Sequence, residues 1–157
     1  MNEFRRGARL GIDVGRARVG IARCDPDGLL AVPVETIART EGAPARIAEL
    51  AEEHEALEIL VGLPIGLSGH ETASTTDARD FARAVRDASN RPVRMVDERL
   101  STVSAHAALR SSGRSQRSSR SIVDQVAAVV LLQQAIDVEK STGTPTGELL
   151  SDSQEST

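Results

Sequence analysis

Three apolar stretches open the chain with only turns between them, and that order restricts the fold more than any other feature. Residues 8–14 (Ala-Arg-Leu-Gly-Ile-Asp-Val) are mostly apolar and become β-branched towards their end, which predicts a strand. A Gly15-Arg16-Ala17 turn leads into a second strand over residues 18–24. Asp25-Pro26-Asp27-Gly28 is a strong hairpin signal: proline presets φ, aspartate bonds its own backbone, and glycine tolerates a left-handed turn. A third strand over 29–37 contains Pro33, which cannot donate to a ladder and so marks an edge strand or a bulge. The chain therefore begins as a three-strand antiparallel meander.

The period then changes. Pro44 suits the first turn of a helix, and Ile47, Leu50, Ala51, His54 and Leu57 recur at helical spacing. Residues 58–63 read as a short buried strand that ends at Pro64, followed by a glycine-rich loop over Ile65 to Gly69. A helix is expected from about Thr76 to Ala88, with Ala78, Phe81, Ala82 and Val85 on one face, and a strand from Pro92 to Asp97. Ser101 or Thr102 can cap a further helix that stops near Ser111 or Ser112, before Gly113. A Ser- and Arg-rich loop over Gly113 to Arg120 precedes a last helix from Ser121 to about Val138. The order βββ-α-β-α-β-α-α predicts a mixed five-stranded α/β sheet, with the meander beside parallel strands and helices on both faces. Residues 1–140 form one domain in this reading. Residues 141–157 are Ser, Thr, Gly, Pro and acids, too poor in apolar surface to fold, and are expected to be a disordered tail.

Composition narrows the function. Hydrophobic residues make up 39% of the 157, but aromatics only 1%, so the core is aliphatic. Phe4 and Phe81 are the only Phe, Tyr or Trp residues, which argues strongly against a single-strand binder that stacks bases on aromatic platforms. Cys24 is the single cysteine, so neither an internal disulfide nor a Cys-rich zinc site is possible. It reads as a reduced thiol, the alternative being an exposed thiol that cross-links two copies. No apolar run is long enough to span a membrane, and residues 1–9 lack the apolar centre of a signal peptide, so a cytoplasmic protein is expected.

The net charge of −4 argues against a nucleic-acid binder, but its distribution does not. Between Arg91 and Arg120, seven arginines face two acids, Asp97 and Glu98. A locally basic face on an acidic protein can hold a phosphate backbone, and the planar guanidinium meets phosphate through two hydrogen bonds. The bland alternative is a solvated arginine-rich surface.

Three acids stand out. Asp13 lies inside an apolar strand, where an unpaired carboxylate is costly to bury, and Gly11 and Gly15 beside it permit close approach of a ligand or a backbone. The alternative is a carboxylate at the strand end that reaches water. Glu98 follows a strand directly, where sites concentrate in open sheets, although it could simply pair with Arg99. Asp124 in Ser121-Ile122-Val123-Asp124 fits a helix cap, yet it leads into Val126, Ala127, Ala128, Val129 and Val130, an almost wholly apolar and therefore buried helix. A few carboxylates from separate elements meeting at one edge suit hard divalent cations, and two such ions can clamp a phosphoryl transfer. His54, His70 and His106 lie in different segments without ligand spacing.

Together these motifs resemble the YqgF/RuvX family of pre-16S rRNA nucleases and Holliday-junction-resolvase-like proteins. The resemblance runs over about residues 8–139. It rests on Leu10-Gly11-Ile12-Asp13-Val14-Gly15 with Arg18-Val19-Gly20-Ile21-Ala22; on Val61-Gly62-Leu63-Pro64 with Gly69; on Asp97-Glu98-Arg99-Leu100-Ser101-Thr102; and on Val123-Asp124-Gln125-Val126-Ala127-Ala128. The loop after Pro64 departs from the pattern, reading Ile65-Gly66-Leu67-Ser68-Gly69 where relatives carry an Asn and an acid. The resemblance implies an RNase H-like fold and a nuclease that holds Mg²⁺ (or Mn²⁺) on Asp13, Glu98 and Asp124, by a two-metal-ion mechanism. It implies phosphate contacts or site ordering by Arg18 and Arg99, and the arginine-rich Arg110, Arg114, Arg117 and Arg120 would hold the backbone. The implied substrate is structured RNA, the 5′ end of precursor 16S rRNA in ribosome biogenesis. Branched DNA is the alternative, which a two-fold homodimer would favour. Two rivals remain: a non-catalytic ribosome-assembly factor, and half of an actin-like nucleotide cleft, for which the chain is short.

Overall fold

The computed structural model describes residues 4–65, 69–97 and 116–150, with the side chains of 116–124 left aside. Strands β1 (Arg9–Val14), β2 (Arg18–Cys24) and β3 (Ala31–Ala38) form the expected antiparallel meander. Strands β4 (Glu58–Leu63) and β5 (Val93–Asp97) add parallel to β1 and to each other. A short β6 (Glu148–Leu149) closes a six-stranded sheet of order β3-β2-β1-β4-β5-β6. The meander cannot be followed by another hairpin strand on the β1 side without a crossover, which is why α1 (Ala43–Glu53) stands between β3 and β4.

Local chemistry fixes the elements. The Asp25 carboxylate accepts from the backbone N–H groups of Asp27, Leu29 and Leu30 at 3.1, 2.8 and 2.9 Å, and Gly28 takes φ +64°, closing the β2–β3 hairpin. Pro33 pairs with Ala22 just past a register shift on the edge strand, so both of its expected meanings hold at once. Helix α2 (Ala73–Ser89) starts three residues before the expected Thr76, because Thr72 and Thr75 form a reciprocal capping box around it. Asn90 ends it in the left-handed region at φ 56°.

Strand alternation divides the core. Leu10, Ile12, Ile59 and Val61 face α1 and α2 in one aliphatic cluster. Leu60, Val96 and Cys24 face the long helix α3 (Gln116–Thr142) through Ala128, Leu131, Leu132 and Ile136. Cys24 is fully buried there, so the cross-linking thiol is ruled out; burial also pushes its pKa up. Glycine at position 11 lets α3 lie close on the sheet: a Cβ there would stand 2.8 Å from Leu132 Cβ and 3.0 Å from the Ala128 carbonyl oxygen.

Three expectations are corrected. The sheet has six strands, not five. Helix α3 begins at Gln116 rather than Ser121, so Arg117 and Arg120 stand on its first turns and not on a loop; arginine is a good helix former, and serine only weakly opposes it. The expected disordered tail is ordered as far as Leu150: α3 runs to Thr142, β6 pairs with β5, and the Leu150 amide donates to the Val93 carbonyl at 2.7 Å. The helix expected over 101–112 lies outside the described residues.

Charges fill the end of the α3 face where the parallel strands begin. Arg9, Glu58 and Glu139 are nearly completely buried. Arg5 bonds both Glu58 and Glu139 at 2.9 Å, and Arg9 reaches Glu139 at 3.1 Å. This network ties the N-terminal segment to the last turns of α3, and Phe4 packs its ring against the Arg9 guanidinium at 4.4 Å.

Candidate active site

Asp13 is the penultimate residue of β1, at the carboxyl ends of the parallel strands. That is the edge where open α/β sheets place their ligands. Side chains alternate along a strand, so Asp13 shares a face with Gly11, the face on which α3 packs. It is half-buried and engaged in an interaction of its own.

The register shows what lies around it. Asp13 pairs with Gly20 on β2, and Gly20 pairs with Thr36 on β3. Above this row, Gln125 Nε2 of α3 donates to Thr36 Oγ1 at 2.9 Å. The helix runs antiparallel to β1: Ala128 and Leu132 lie over Gly11, and Gln125 lies over the row of Asp13. Asp124 is next to Gln125 and one turn before Ala128. The backbone thus brings Asp13 and the helical turn that carries Asp124 to one end of the same face. Thr36 and its bond to Gln125 could not be read from sequence, because no local pattern joins β3 to α3.

Glu98, Arg99, Arg110 and Arg114 lie outside the described residues, and Arg117 and Arg120 are described as backbone on α3. Strand β5 ends at Asp97, which pairs with Leu63 at this same edge, and Glu98 is the next residue in sequence. Two of the seven arginines counted between Arg91 and Arg120 serve the fold instead. Arg91 donates to the Ala56 carbonyl at 2.9 Å, and Arg94 approaches Glu58 at 3.4 Å. Among the described residues no group of three or more His, Cys, Asp or Glu is gathered for a metal.

The sequence offered Gly11 and Gly15 as places where a ligand or a backbone can come close, and the structure shows the backbone. Gly11 admits α3, and Gly15 admits the Arg18 carbonyl, which a Cβ would meet at 2.8 Å. The Gly15 amide donates to that carbonyl at 2.8 Å, leaving Arg16 and Ala17 at the tip of the β1–β2 hairpin. Arg18 opens β2 opposite Ala38, half-buried and engaged. Arg39, also missed from sequence, braces this tip. It donates to the Gly15 carbonyl at 3.1 Å and to both oxygens of Asp77 on α2 at 2.6 and 2.8 Å, and stacks over Phe81. The Arg39 guanidinium holds the Asp77 carboxyl below its ordinary pKa.

A mixed sheet with its meander first, helices on both faces and an aspartate at the end of the central strand is the arrangement of RNase H-like nucleases. The comparisons agree. Residues 7–138 match the model of the RuvX family, described as Holliday junction resolvase. The chain belongs to that family, and with it to the nucleases. A relative from Clavibacter michiganensis with the name "Putative pre-16S rRNA nuclease" is 54% identical over 94% of this chain and 93% of its own. One of the same name from Thermobifida fusca is 51% identical over 94% and 98%. Among solved structures, T. thermophilus RuvC in complex with Holliday junction substrate superposes with a TM-score of 0.52 at 16% identity, covering 92% of this chain and 99% of that one. At that identity the likeness establishes the fold.

Proposed function

We propose that this nuclease is metal-dependent, holds its ions on Asp13, Glu98 and Asp124, and trims structured RNA at the 5′ end of precursor 16S rRNA in the cytoplasm. The observation that carries the site is the shared edge. Asp13 faces α3 at the carboxyl end of the central strand, Gln125 is bonded to Thr36 in the Asp13 row, and Glu98 directly follows β5. The donor set suits the ion, since hard cations such as Mg²⁺ or Mn²⁺ take carboxylate oxygens and waters. Bound there, two ions would neutralise charge on the scissile phosphate and ease ionisation of the attacking water. The chain's own part is placement. The backbone of Asp13 is fixed by its pairing within the sheet, so little backbone freedom is lost when its carboxylate binds. The Gln125–Thr36 bond ties the turn of α3 beside Asp124 to β3 in the row of Asp13. Arg18 and Arg99, with Arg110, Arg114, Arg117 and Arg120, would supply salt-sensitive grip on the phosphate backbone.

The names of the relatives support rRNA as the substrate. The family description and the RuvC fold favour a second reading, a resolvase acting on four-way DNA junctions, for which symmetric cutting of two strands would call for a two-fold homodimer. Labelled precursor 16S rRNA and a labelled four-way junction, each incubated with Mg²⁺ or with chelator, separate them. Metal-dependent cutting of the RNA alone is expected. Cutting of the junction alone would transfer the assignment to the resolvase, and cutting of neither would leave a binding role in ribosome assembly.

A further inference from the structure

We propose that Arg16 is a contact for the substrate's phosphodiester backbone, and that Arg39 is the positioning residue that presents it. The inference rests on the nucleic-acid reading above. Arg16 is exposed at the hairpin tip, three residues after Asp13, so the Cα atoms of the two residues lie within about 10 Å of each other. Each strand of a duplex carries one charge per roughly 3.4 Å of rise, so a strand seated at Asp13 passes within about three nucleotides of the tip.

The charge count at this corner is unbalanced. Asp77 is the acid whose field Arg16 shares. Both oxygens of Asp77 are already taken by Arg39. Among the described residues the Arg16 guanidinium has no hydrogen bond or ion pair of its own. One positive charge with an unused planar fork is left over, and the fork is the shape that meets a phosphate.

The tip is also stiff, which distinguishes it from a solvated arginine on a loose loop. The Gly15 amide bonds the Arg18 carbonyl, the Arg39 amide bonds the Ala17 carbonyl at 2.9 Å, and the Arg39 side chain bonds the Gly15 carbonyl. Arg39 is itself held by Asp77 and by the Phe81 ring. Little backbone entropy is left to lose when a phosphate docks.

The test is binding of a fluorescein-labelled RNA hairpin, read by anisotropy with chelator present and with salt raised from about 50 to about 200 mM, the range over which phosphate contacts weaken markedly. Arg16→Gln is expected to raise the Kd severalfold and to lower the slope of log K against log salt by about one. Arg16→Lys restores most of the slope, because the charge remains. Arg39→Lys, checked by thermal melting to be folded, also weakens binding although its charge is kept, and Arg16→Gln with Arg39→Lys is no weaker than Arg16→Gln alone. Arg6→Gln, at the opposite end of the molecule in a surface pair with Asp27, changes neither quantity. If wild type binds and Arg16→Gln keeps its affinity and slope, the inference is wrong and the nuclease reading stands. If wild type does not bind RNA even at low salt, the inference and the RNA-substrate reading it rests on both fall.

Discussion

Replacing Gly11 by alanine tests the packing that sets the distance between the sheet and α3. The added Cβ would stand 2.8 Å from Leu132 Cβ and 3.0 Å from the Ala128 carbonyl oxygen. Comfortable carbon–carbon contact is about 3.5–4.0 Å, so something must retreat by roughly 0.7–1.2 Å. Neither neighbour can swing away, because one is a backbone atom and the other is bonded to the backbone. The helix itself has to lift. Overpacking of this kind costs about 1–3 kcal/mol. At roughly 2–4 °C per kcal/mol for a chain of this length, the melting temperature falls by about 2–12 °C. Asp124 is one turn before Ala128, so the same lift moves its turn away from Asp13. A misplacement of about 1 Å near the chemistry can cost on the order of 100-fold in rate. Circular-dichroism melting and Mg²⁺-dependent cleavage would be measured on Gly11→Ala beside Gly42→Ala, whose Cβ would meet only Thr40 Oγ1 at 3.8 Å. A Gly11→Ala protein that melts and cuts like wild type would refute the account of α3 as the element that spaces the site.

Other predictions concern the opposite end and the last strand. Burial pushes the Glu139 carboxyl up, but hydrogen bonds from the Arg5 side chain and backbone and the charges of Arg9 and Arg5 outweigh it, so the pKa lies below the ordinary 4.5. A depressed carboxyl stabilises the fold fully above pH 4.5 and loses that contribution as pH falls through its lower folded value. Glu139→Gln should therefore flatten the acid limb of a stability–pH profile. It should also cost about 3–5 kcal/mol near neutral pH, by leaving buried Arg9 short of its partner, as urea melts would report. Gly147 takes φ +84°, and a Cβ there would collide with the Met95 carbonyl oxygen, so Gly147→Ala should release β6 and raise amide exchange at Leu150 while β1–β4 stay protected. Cys24 should resist a thiol reagent in the native protein, react on unfolding, and give no cross-linked dimer on a non-reducing gel.

The elements that were legible in the sequence are those whose residues announce them locally. The aliphatic runs of β1, β4 and β5 and the Asp25–Gly28 turn say what they are without help from the rest of the chain. The ends were harder. The start of α2 depends on a threonine pair that reads as loop until Thr75 is seen to bond back to Thr72. The start of α3 is masked by serines that suit a helix and a loop almost equally. Strand β6 is two residues long and is held by contacts with β5 that no periodicity reveals. At the site, Asp13 was conspicuous because a carboxylate is out of place in an apolar strand. Gly11 signals a close approach, but which of a ligand or a backbone comes near is settled only by α3, remote in sequence. Thr36, Arg39 and Asp77 were invisible, because each matters through a partner remote in sequence.

The central claim is that Asp13, Glu98 and Asp124 act together on a metal-activated phosphodiester. The most direct measurement is Mg²⁺-dependent cleavage of labelled precursor 16S rRNA by wild type, Asp13→Asn, Glu98→Gln and Asp124→Asn, each confirmed folded by its melting curve. The account predicts that wild type cuts only with metal and that each variant loses at least about 100-fold, as expected when residues act as one unit. Folded variants that cut as fast as wild type would contradict it.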